Sequence, residues 1–217
     1  WWDYYEDPAN LLHADVPGID LAVNDDGTEI WYINTDGGLF RSLDNLETVE
    51  NMSLKGLRIS QYYSTHTTSH DAEIVAGGTQ DQGYQITGGV TQDGDGVWEF
   101  DQIISGDYGH LTSGDGTHDY VFSVYPGFIL VQMGETNPAL AYLDFPTDES
   151  YVPWLPPIVA DPDDNKAFFF PATQIYRYDY RAFVGNWTSE IHSEQDFQVS
   201  DGEYVTSLRF SPLDSNR

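Results

Sequence analysis

Short apolar segments alternate along the chain with turns rich in Asp, Asn and Gly. Residues 19–33 hold two apolar segments separated by an Asn-Asp-Asp-Gly turn. Asp and Gly tolerate the left-handed backbone that tight turns need, so this stretch predicts two strands joined by a hairpin. A second turn at residues 34–38 leads to a third strand at residues 39–42, and the polar segment that follows has room for a fourth around residues 47–52.

The same succession restarts several times. Equivalent first strands begin near residues 18, 59, 109, 154 and 204, at separations of about 41 to 50 residues. This spacing is typical of β-propeller blades of the WD and kelch type. The repeat predicts approximate units at residues 13–56, 57–100, 105–150, 153–200 and 201–217, the last being the start of a further blade.

Each later unit predicts its own strands. The second unit centres on the apolar run Ile74 to Ala76, which is followed by two glycines and a Thr-Gln-Asp-Gln-Gly turn. Small residues in a strand suit a crowded centre, where another backbone approaches closely. Further strands are predicted at residues 59–64, 83–87, 97–100, 109–112, 120–125, 128–133, 154–160, 167–170, 174–178 and 204–210.

The pattern predicts an all-β fold. No segment keeps a helical period, and Gly, Pro and Asp interrupt the chain too often for long helices. We expect a single β-propeller over residues 1–217, a partial ring of four-stranded antiparallel blades with three to four complete blades and partial ends. A β-sandwich would also alternate strands with turns, but the repeat length favours the propeller.

The charge of the chain limits its partners. Asp and Glu number 36 against 8 Lys and Arg, which gives a net charge of −28. Such a surface repels nucleic acid and anionic membranes. The sequence has two lysines, Lys55 and Lys166, which favours a saline or extracellular setting. Cysteine is absent, which excludes disulfides and zinc–thiolate sites, and no apolar run is long enough to span a membrane.

Several phrases resemble the BNR/YVTN-like β-propeller superfamily, which includes sortilin-like and photosystem-assembly propellers and xyloglucanase-type glycoside hydrolases. His13-Ala14-Asp15 and the stretch WYINTDGGLFRS at residues 31–42 resemble its "HxD" and "DGG" passages. Residues 59–83 resemble its "GtQDnG" passage, and residues 105–107 resemble the "GGD" phrase that follows it. Residues 156–178 and 204–214 resemble later passages of the same superfamily, in the same order.

The resemblance implies a propeller that is a segment of a larger exported or surface-anchored polypeptide. The chain opens on Trp1 without a methionine and stops inside a predicted blade, which leads to the same expectation of a processed product or fragment. Two features depart from the superfamily pattern. Val16-Pro17-Gly18 stands where the second histidine after the "HxD" motif is usual, and the third unit lacks the Ser-x-Asp-x-Gly-x-x-Trp box.

Two turns supply the candidate ligand-binding residues. Asp36 precedes a Gly-Gly pair, and Gln80, Asp81 and Gln82 precede Gly83. These side chains would lie together at one end of the propeller channel, where a protein or carbohydrate ligand binds. The alternative is that Asp and Gln only fix the turns by bonding backbone N–H groups while Gly supplies the backbone angles.

Two further loops suggest calcium. Asp93 and Asp95 begin a sequence that resembles a calcium loop, but no acidic residue stands at the spacing of an EF-hand glutamate. Asp161 and Asp163 form a second acidic loop. Calcium is therefore the one cofactor that the sequence suggests, and a solvated turn is the alternative reading of both loops.

A catalytic set is not evident. Asp15, Asp20, Asp36 and Asp81 are candidates for a pair of carboxylates flanking a sugar bond, as glycoside hydrolysis requires. No Gly-x-Ser-x-Gly elbow or phosphate-binding loop is present. Three hypotheses follow. The first is an extracellular or cell-surface noncatalytic propeller for binding or scaffolding, the second a part of a xyloglucanase-like glycoside hydrolase, and the third a calcium- or salt-stabilised structural module.

Overall fold

A computed structural model describes residues 7–53, 57, 59–68, 74–87, 100–135, 138–183, 185–197, 200 and 202–211. Over these residues the protein is all-β, as the sequence predicts, with four antiparallel four-stranded sheets that correspond to propeller blades. A 3-10 turn at Glu149–Tyr151 interrupts the strands, and its N-terminal N–H groups are capped by the side chain of Asp148. No helix in the described ranges is long and apolar enough to cross a membrane.

The first sheet contains β1 (Gly18–Val23), β2 (Glu29–Thr35), β3 (Gly38–Ser42) and β4 (Glu50–Asn51), in that order. The predicted hairpin is confirmed, because β1 pairs with β2 from Gly18↔Asn34 to Val23↔Glu29. Its turn is closed by two hydrogen bonds of 2.9 Å between Asn24 and residues Thr28 and Gly27.

Strand β1 is an edge strand of this sheet and is exposed over most of its length. Its alternate apolar side chains Ile19, Leu21 and Val23 are 55%, 40% and 61% exposed. Because side chains alternate between the faces of a strand, these three project from the same face.

The second sheet contains β5 (Tyr62–Thr67), β6 (Val75–Thr79), β7 (Tyr84–Ile86) and β8 (Asp101–Ile104). The strand predicted at residues 59–64 begins three residues later, because the N–H of Ile59 donates instead to the carbonyl oxygen of Ser53. The last strand was predicted at residues 97–100 and instead starts at Asp101, where β8 pairs with β7. Residues 97–99 themselves lie outside the described ranges.

The third sheet contains β9 (Gly109–Thr112), β10 (Tyr120–Tyr125), β11 (Phe128–Met133) and β12 (Ala139–Asp144). Its first three strands match the prediction, while β12 was not predicted. Strand β12 pairs with β11 over six residues, from Phe128↔Asp144 to Met133↔Ala139.

The fourth sheet contains β13 (Val159–Ala160), β14 (Ala167–Pro171), β15 (Ile175–Arg181) and β16 (Asn186–Ser193). Strand β13 is shorter than the predicted strand at residues 154–160, and β16 lies within the predicted unit at residues 153–200 but was not predicted as a strand. The strand predicted at residues 204–210 forms no ladder with the described part of the chain. A strand requires a hydrogen-bonded neighbour, and apolar residues alone do not supply one.

The chain divides into two compact units. The first comprises residues 1–63 and 76–107, and the second comprises residues 64–75 and 108–217. In the first unit, Ile33, Phe40, Tyr84 and Ile86 are buried.

The core of the second unit is aromatic. Phe168 stacks on Tyr178 with ring centres 4.7 Å apart, and it lies 4.6 Å from Phe122 and 5.8 Å from Trp187. Tyr178 and Trp187 are therefore core residues, whereas Trp154 is exposed.

Candidate functional site

A pocket of about 530 Å³ lies in the first unit, and we call it the turn pocket. It is lined by Asp36, Leu39, Ser53, Leu57, Ile59, Ser60, Gln61, Gln80, Asp81 and Gln82. The four ligand-binding residues predicted from the sequence are all in this lining. The structure thus brings together two turns that are more than forty residues apart in the chain.

The first of these turns connects β2 to β3. The Asp36 carboxylate accepts a 2.9 Å hydrogen bond from the N–H of Gly37, and the Thr35 hydroxyl donates to the carbonyl oxygen of Gly38. Gly38 has a φ of 128°, and a Cβ there would lie 2.6 Å from the hydroxyl oxygen of Ser53. The glycine is required because only a residue without a side chain fits both the backbone angle and the close neighbour.

The side chain of His13 contacts this turn at Asp36 and Gly37. Its Nδ1 lies 2.7 Å from Oδ1 of Asp36, and its imidazole is buried. The ring packs directly on Gly37, since a Cβ at that position would lie 2.5 Å from its Cγ. The histidine and the aspartate of two separate superfamily-like phrases are therefore one structural unit.

The second turn connects β6 to β7. Asp81 adopts a left-handed backbone with a φ of 58°, and Gly83 follows with a φ of 85°. A Cβ on Gly83 would overlap the carbonyl oxygen of Ile104 on β8. The Thr79 N–H and hydroxyl both donate to the carbonyl oxygen of Gly83, at 3.1 and 2.8 Å. The contacts with Thr79 and with β8 hold the backbone of this turn in its left-handed conformation, which would otherwise be unfavourable.

Gln82 is a buried polar residue of the turn pocket. Its side chain is 7% exposed, and its Oε1 is buried without a hydrogen-bond partner among the described residues. A buried acceptor without a donor carries a desolvation penalty of about 1–3 kcal/mol. Such a group in a pocket lining is a candidate for contact with a ligand.

Carboxyl groups crowd the side of the pocket at Asp81. The N–H of Asp81 and the hydroxyl of Tyr63 both donate to Oδ1 of Asp107, each at 3.3 Å. Burial, with the nearby charges of Asp107 and Asp36, raises the pKa of Asp81 to about 6. Burial also raises the pKa of Asp107. Burial, together with the Asp107 and Asp81 carboxylates, raises the pKa of Tyr63 to about 12.

The sequence reasoning missed Asp107 and His13 as members of the site. Both were within phrases that resemble the superfamily, but their contacts depend on which strands pair. Of the four catalytic candidates, Asp36 and Asp81 line the turn pocket, whereas Asp15 and Asp20 do not. Asp20 lies on the exposed strand β1, and its carboxylate accepts from the N–H of Leu21.

The acidic loop at Asp161 and Asp163, in the second unit, is organised by an arginine. Both Nε and Nη2 of Arg177 donate to Oδ2 of Asp161, at 3.1 and 2.8 Å, and Oδ1 of Asp161 accepts from the N–H of Asp163. Arg177 also pairs with Asp179 and lies 3.6 Å from Asp164. The Asp161 carboxylate is thus neutralised by a cation of the chain itself.

No group of three or more metal-ligating side chains converges within the described ranges. Asp93 and Asp95, the other calcium candidates, lie outside those ranges. The described part of the chain therefore offers no cluster on which to build a metal centre.

No protein-family model matches the chain, and no curated protein matches it. Among solved structures it is similar to an auxiliary nutrient binding protein from Bacteroides thetaiotaomicron, with a TM-score of 0.43 and 12% identity over 81% of this chain and 42% of that one. It is also similar to virginiamycin B lyase from Staphylococcus aureus, with a TM-score of 0.42 and 16% identity over 79% and 54% of the two chains. The chain spans about half the length of these two structures.

Proposed function

We propose that this chain is a noncatalytic β-propeller segment that binds a ligand in the turn pocket, within a larger extracellular or surface-exposed polypeptide of the BNR/YVTN-like type. The observation that carries the proposal is the convergence of Asp36, Gln80, Asp81 and Gln82 on one pocket. A protein loop or a carbohydrate is the expected partner, since both present donors and acceptors to such a lining. Nucleic acid is not, because a net charge of −28 repels phosphates.

The geometry of the turns supports binding over chemistry. Asp36 is held by His13 and by the N–H of Gly37, and Asp81 is fixed by a left-handed backbone. Pockets that bind small ligands combine apolar walls with a few fixed polar groups, and the turn pocket has both, with Leu39, Leu57 and Ile59 as its apolar side.

A ligand screen of the intact chain tests this proposal. Immobilised glycan and peptide panels would be probed with the wild type, with Asp36→Asn, and with Asp25→Asn as a matched control on an exposed hairpin. We expect at least one ligand whose binding falls about tenfold or more in Asp36→Asn, the loss of one good polar contact, and persists in the control. No binding by the wild type, or an equal loss in both variants, would overturn the proposal.

The surface setting has its own test. Labelling of intact and permeabilised source cells with an antibody to this chain separates an exposed protein from an internal one. The mass of the native polypeptide, measured on the same material, shows whether this segment belongs to a longer protein. Labelling that requires permeabilisation would contradict the extracellular part of the proposal.

A second candidate is part of a xyloglucanase-like glycoside hydrolase. The observation that favours it is Asp81, because a carboxyl group with a pKa of about 6 is suited to act as a general acid near neutral pH. Glycoside hydrolysis also needs a second carboxylate across the sugar bond, and Asp36 lines the same pocket.

Reducing-end assays on xyloglucan and related β-glucans test this candidate. Hydrolysis by the wild type that disappears in both Asp36→Asn and Asp81→Asn, but persists in Asp25→Asn, would establish it. Turnover that is absent from the wild type, or unaffected by both substitutions, would remove it.

A further inference from the structure

We propose that the turn pocket recognises a primary ammonium group on a small organic molecule. This inference rests on the proposed function and names the ligand class of the same site. It follows from the acceptors of the lining, from the lack of Lys and Arg among its described residues, from the apolar wall, and from the buried Oε1 of Gln82, which has no donor in the described ranges.

The charge of the lining selects a cation. Asp36 and Asp81 contribute carboxylates, and none of the ten described lining residues is Lys or Arg. Asp107 adds a third carboxylate next to Asp81. Asp36 contacts His13, whereas Asp81 and Asp107 lie side by side with no Lys or Arg among the described lining residues. Carboxylates that lie close together repel one another, so a ligand with positive charge relieves the repulsion and an anion is disfavoured.

Gln82 supplies the independent observation. Its Oε1 is buried and has no hydrogen-bond donor within the described part of the chain, although the residue lines the pocket. An ammonium group has three N–H donors and no acceptor, so it matches an amide oxygen together with carboxylates. A rotation of the Gln82 amide would present Oε1 to such a group and satisfy an acceptor that is otherwise left without a partner.

The remaining lining residues determine which organic molecule can carry the ammonium group. Leu39, Leu57 and Ile59 form an apolar side, while Ser53, Ser60, Gln61 and Gln80 offer hydroxyl and amide groups. Methylene groups or the C–H face of a sugar ring can pack on the apolar side. Hydroxyl or amide groups of the ligand can hydrogen-bond to the serine and glutamine side chains. A lysine-type alkylammonium and an amino sugar share this chemistry.

The raised pKa values agree with this picture. Burial and the surrounding carboxylates raise the pKa of Asp81 to about 6, and burial raises that of Asp107. A bound cation would lower both, because it stabilises the charged form of each carboxyl group.

The experiment compares charged probes with uncharged isosteres on the intact chain. D-glucosamine is paired with D-glucose, and Nα-acetyl-lysine amide with Nα-acetyl-norleucine amide. Titration calorimetry at about pH 7.5 and about 0.15 M NaCl suppresses non-specific attraction to the acidic surface. We expect one or both ammonium probes to bind at least about tenfold more tightly than their isosteres, the difference between a charge-assisted and a neutral contact. A difference in the first pair would indicate an amino sugar as the ligand, and a difference in the second pair would indicate an alkylammonium group.

Two variants and a control locate the binding. Asp81→Asn keeps the shape and the tolerance for a left-handed backbone, and Gln82→Met keeps the length while removing the acceptor. Each should weaken the ammonium probe about tenfold, as expected for one charge-assisted hydrogen bond, while Asp25→Asn leaves its affinity unchanged. Circular dichroism of each variant establishes that it is folded.

The remaining outcomes overturn the ammonium proposal in distinguishable ways. If the isosteres bind as well as the charged probes and Gln82→Met weakens both, the pocket is a binding site for neutral ligands and the proposed function stands. If all three variants weaken the ammonium probes equally, the attraction is non-specific. If CaCl₂ displaces them at the same residues, the pocket is a metal site. If no probe binds, the ammonium class is wrong, and the glycan and peptide panels decide the proposed function independently.

Discussion

The backbone N–H of Asp81 donates to Oδ1 of Asp107 across 3.3 Å, which places two carboxyl groups side by side although 26 residues separate them in the chain. The Tyr63 hydroxyl donates to the same oxygen. These two donors offset only part of the burial of Asp107, whose pKa remains raised, and the pKa of Asp81 is raised as well. The first unit therefore folds against an electrostatic cost at neutral pH.

This cost predicts that Asp81→Asn stabilises the protein at neutral pH. The pKa of Asp81 is about 6 in the folded protein and 3.8 for an ordinary aspartate, so the folded state favours the protonated form. Wild-type stability from this group is complete below about pH 4 and is lost as the pH rises through about 6. We expect a gain of about 1 kcal/mol at about pH 7.5, after discounting for solvent screening of a partly exposed group, and little change near pH 4.

Urea unfolding of Asp81→Asn and Asp25→Asn across this pH range checks the prediction. Asp25 is exposed in the hairpin turn, outside the turn pocket, and its substitution serves as the control. A destabilised Asp81→Asn at neutral pH would show that the carboxylate makes a favourable interaction instead.

Gly83 and Gly27 provide a matched pair for the turn of the pocket. Their φ angles are 85° and 82°, but a Cβ on Gly83 would overlap the carbonyl oxygen of Ile104, while a Cβ on Gly27 would have nothing within 4 Å. We expect Gly27→Ala to cost about 1 kcal/mol of backbone strain and Gly83→Ala about 3 kcal/mol or more. Equal losses in denaturant unfolding would mean that β8 moves away at little cost.

Gln82 and Gln85 predict opposite results for the same substitution. Gln85 is buried, and its Oε1 accepts a 2.9 Å hydrogen bond from the Tyr62 hydroxyl, whereas the Oε1 of Gln82 has no partner in the described ranges. Gln82→Met should leave the free energy of unfolding unchanged or raise it by about 1 kcal/mol, while Gln85→Met should lower it by about 1–3 kcal/mol. A large loss in Gln82→Met would indicate that its amide is bonded in solution.

Arg177 predicts a sizeable charge effect in the second unit. Its guanidinium neutralises Asp161 and Asp179 and lies near Asp164, so Arg177→Met leaves partly buried carboxylates without a partner. We expect a loss of about 2–3 kcal/mol, below the cost of breaking a fully buried pair because water reaches the site. Arg41→Met, which breaks one half-exposed contact with Glu50, should cost about 1 kcal/mol or less.

Thermal unfolding of both arginine variants at low and high NaCl separates the two cases. The Arg177→Met loss should shrink at high salt, since screening relieves the repulsion among the carboxylates that remain. A loss of stability in Arg177→Met no larger than that in Arg41→Met would show that the carboxylates of Asp161 and Asp179 become hydrated without an energetic penalty.

The sequence revealed those parts of the fold and site that depend on local chemistry. The hairpin at residues 24–27 and the turn at Gln80 to Gly83 are encoded by the residue types that left-handed turns need. Strands β12 and β16 were not predicted from the sequence. Strand β12 forms by pairing with β11, and β16 forms by pairing with β15. Such pairing leaves no pattern in the local sequence of the strand.

The same limit applies to the charged residues. The acidic loop at Asp161 was a calcium candidate, with a solvated turn as the alternative, because the sequence shows its carboxylates but not the arginine that reaches them. Arg177 arrives from β15, sixteen residues later. His13 and Asp107 likewise enter the site through pairing that only the folded chain defines.

The net negative charge of the chain opposes association of its copies through the exposed edge strand β1. Ile19, Leu21 and Val23 form an exposed apolar row on this edge strand, and an edge strand is where a second strand can pair. With a net charge of −28, copies of the chain repel one another in dilute salt, and concentrated salt removes that repulsion while strengthening apolar contact. The acidic residues thus oppose self-association, and aggregation of the purified chain should increase with ionic strength.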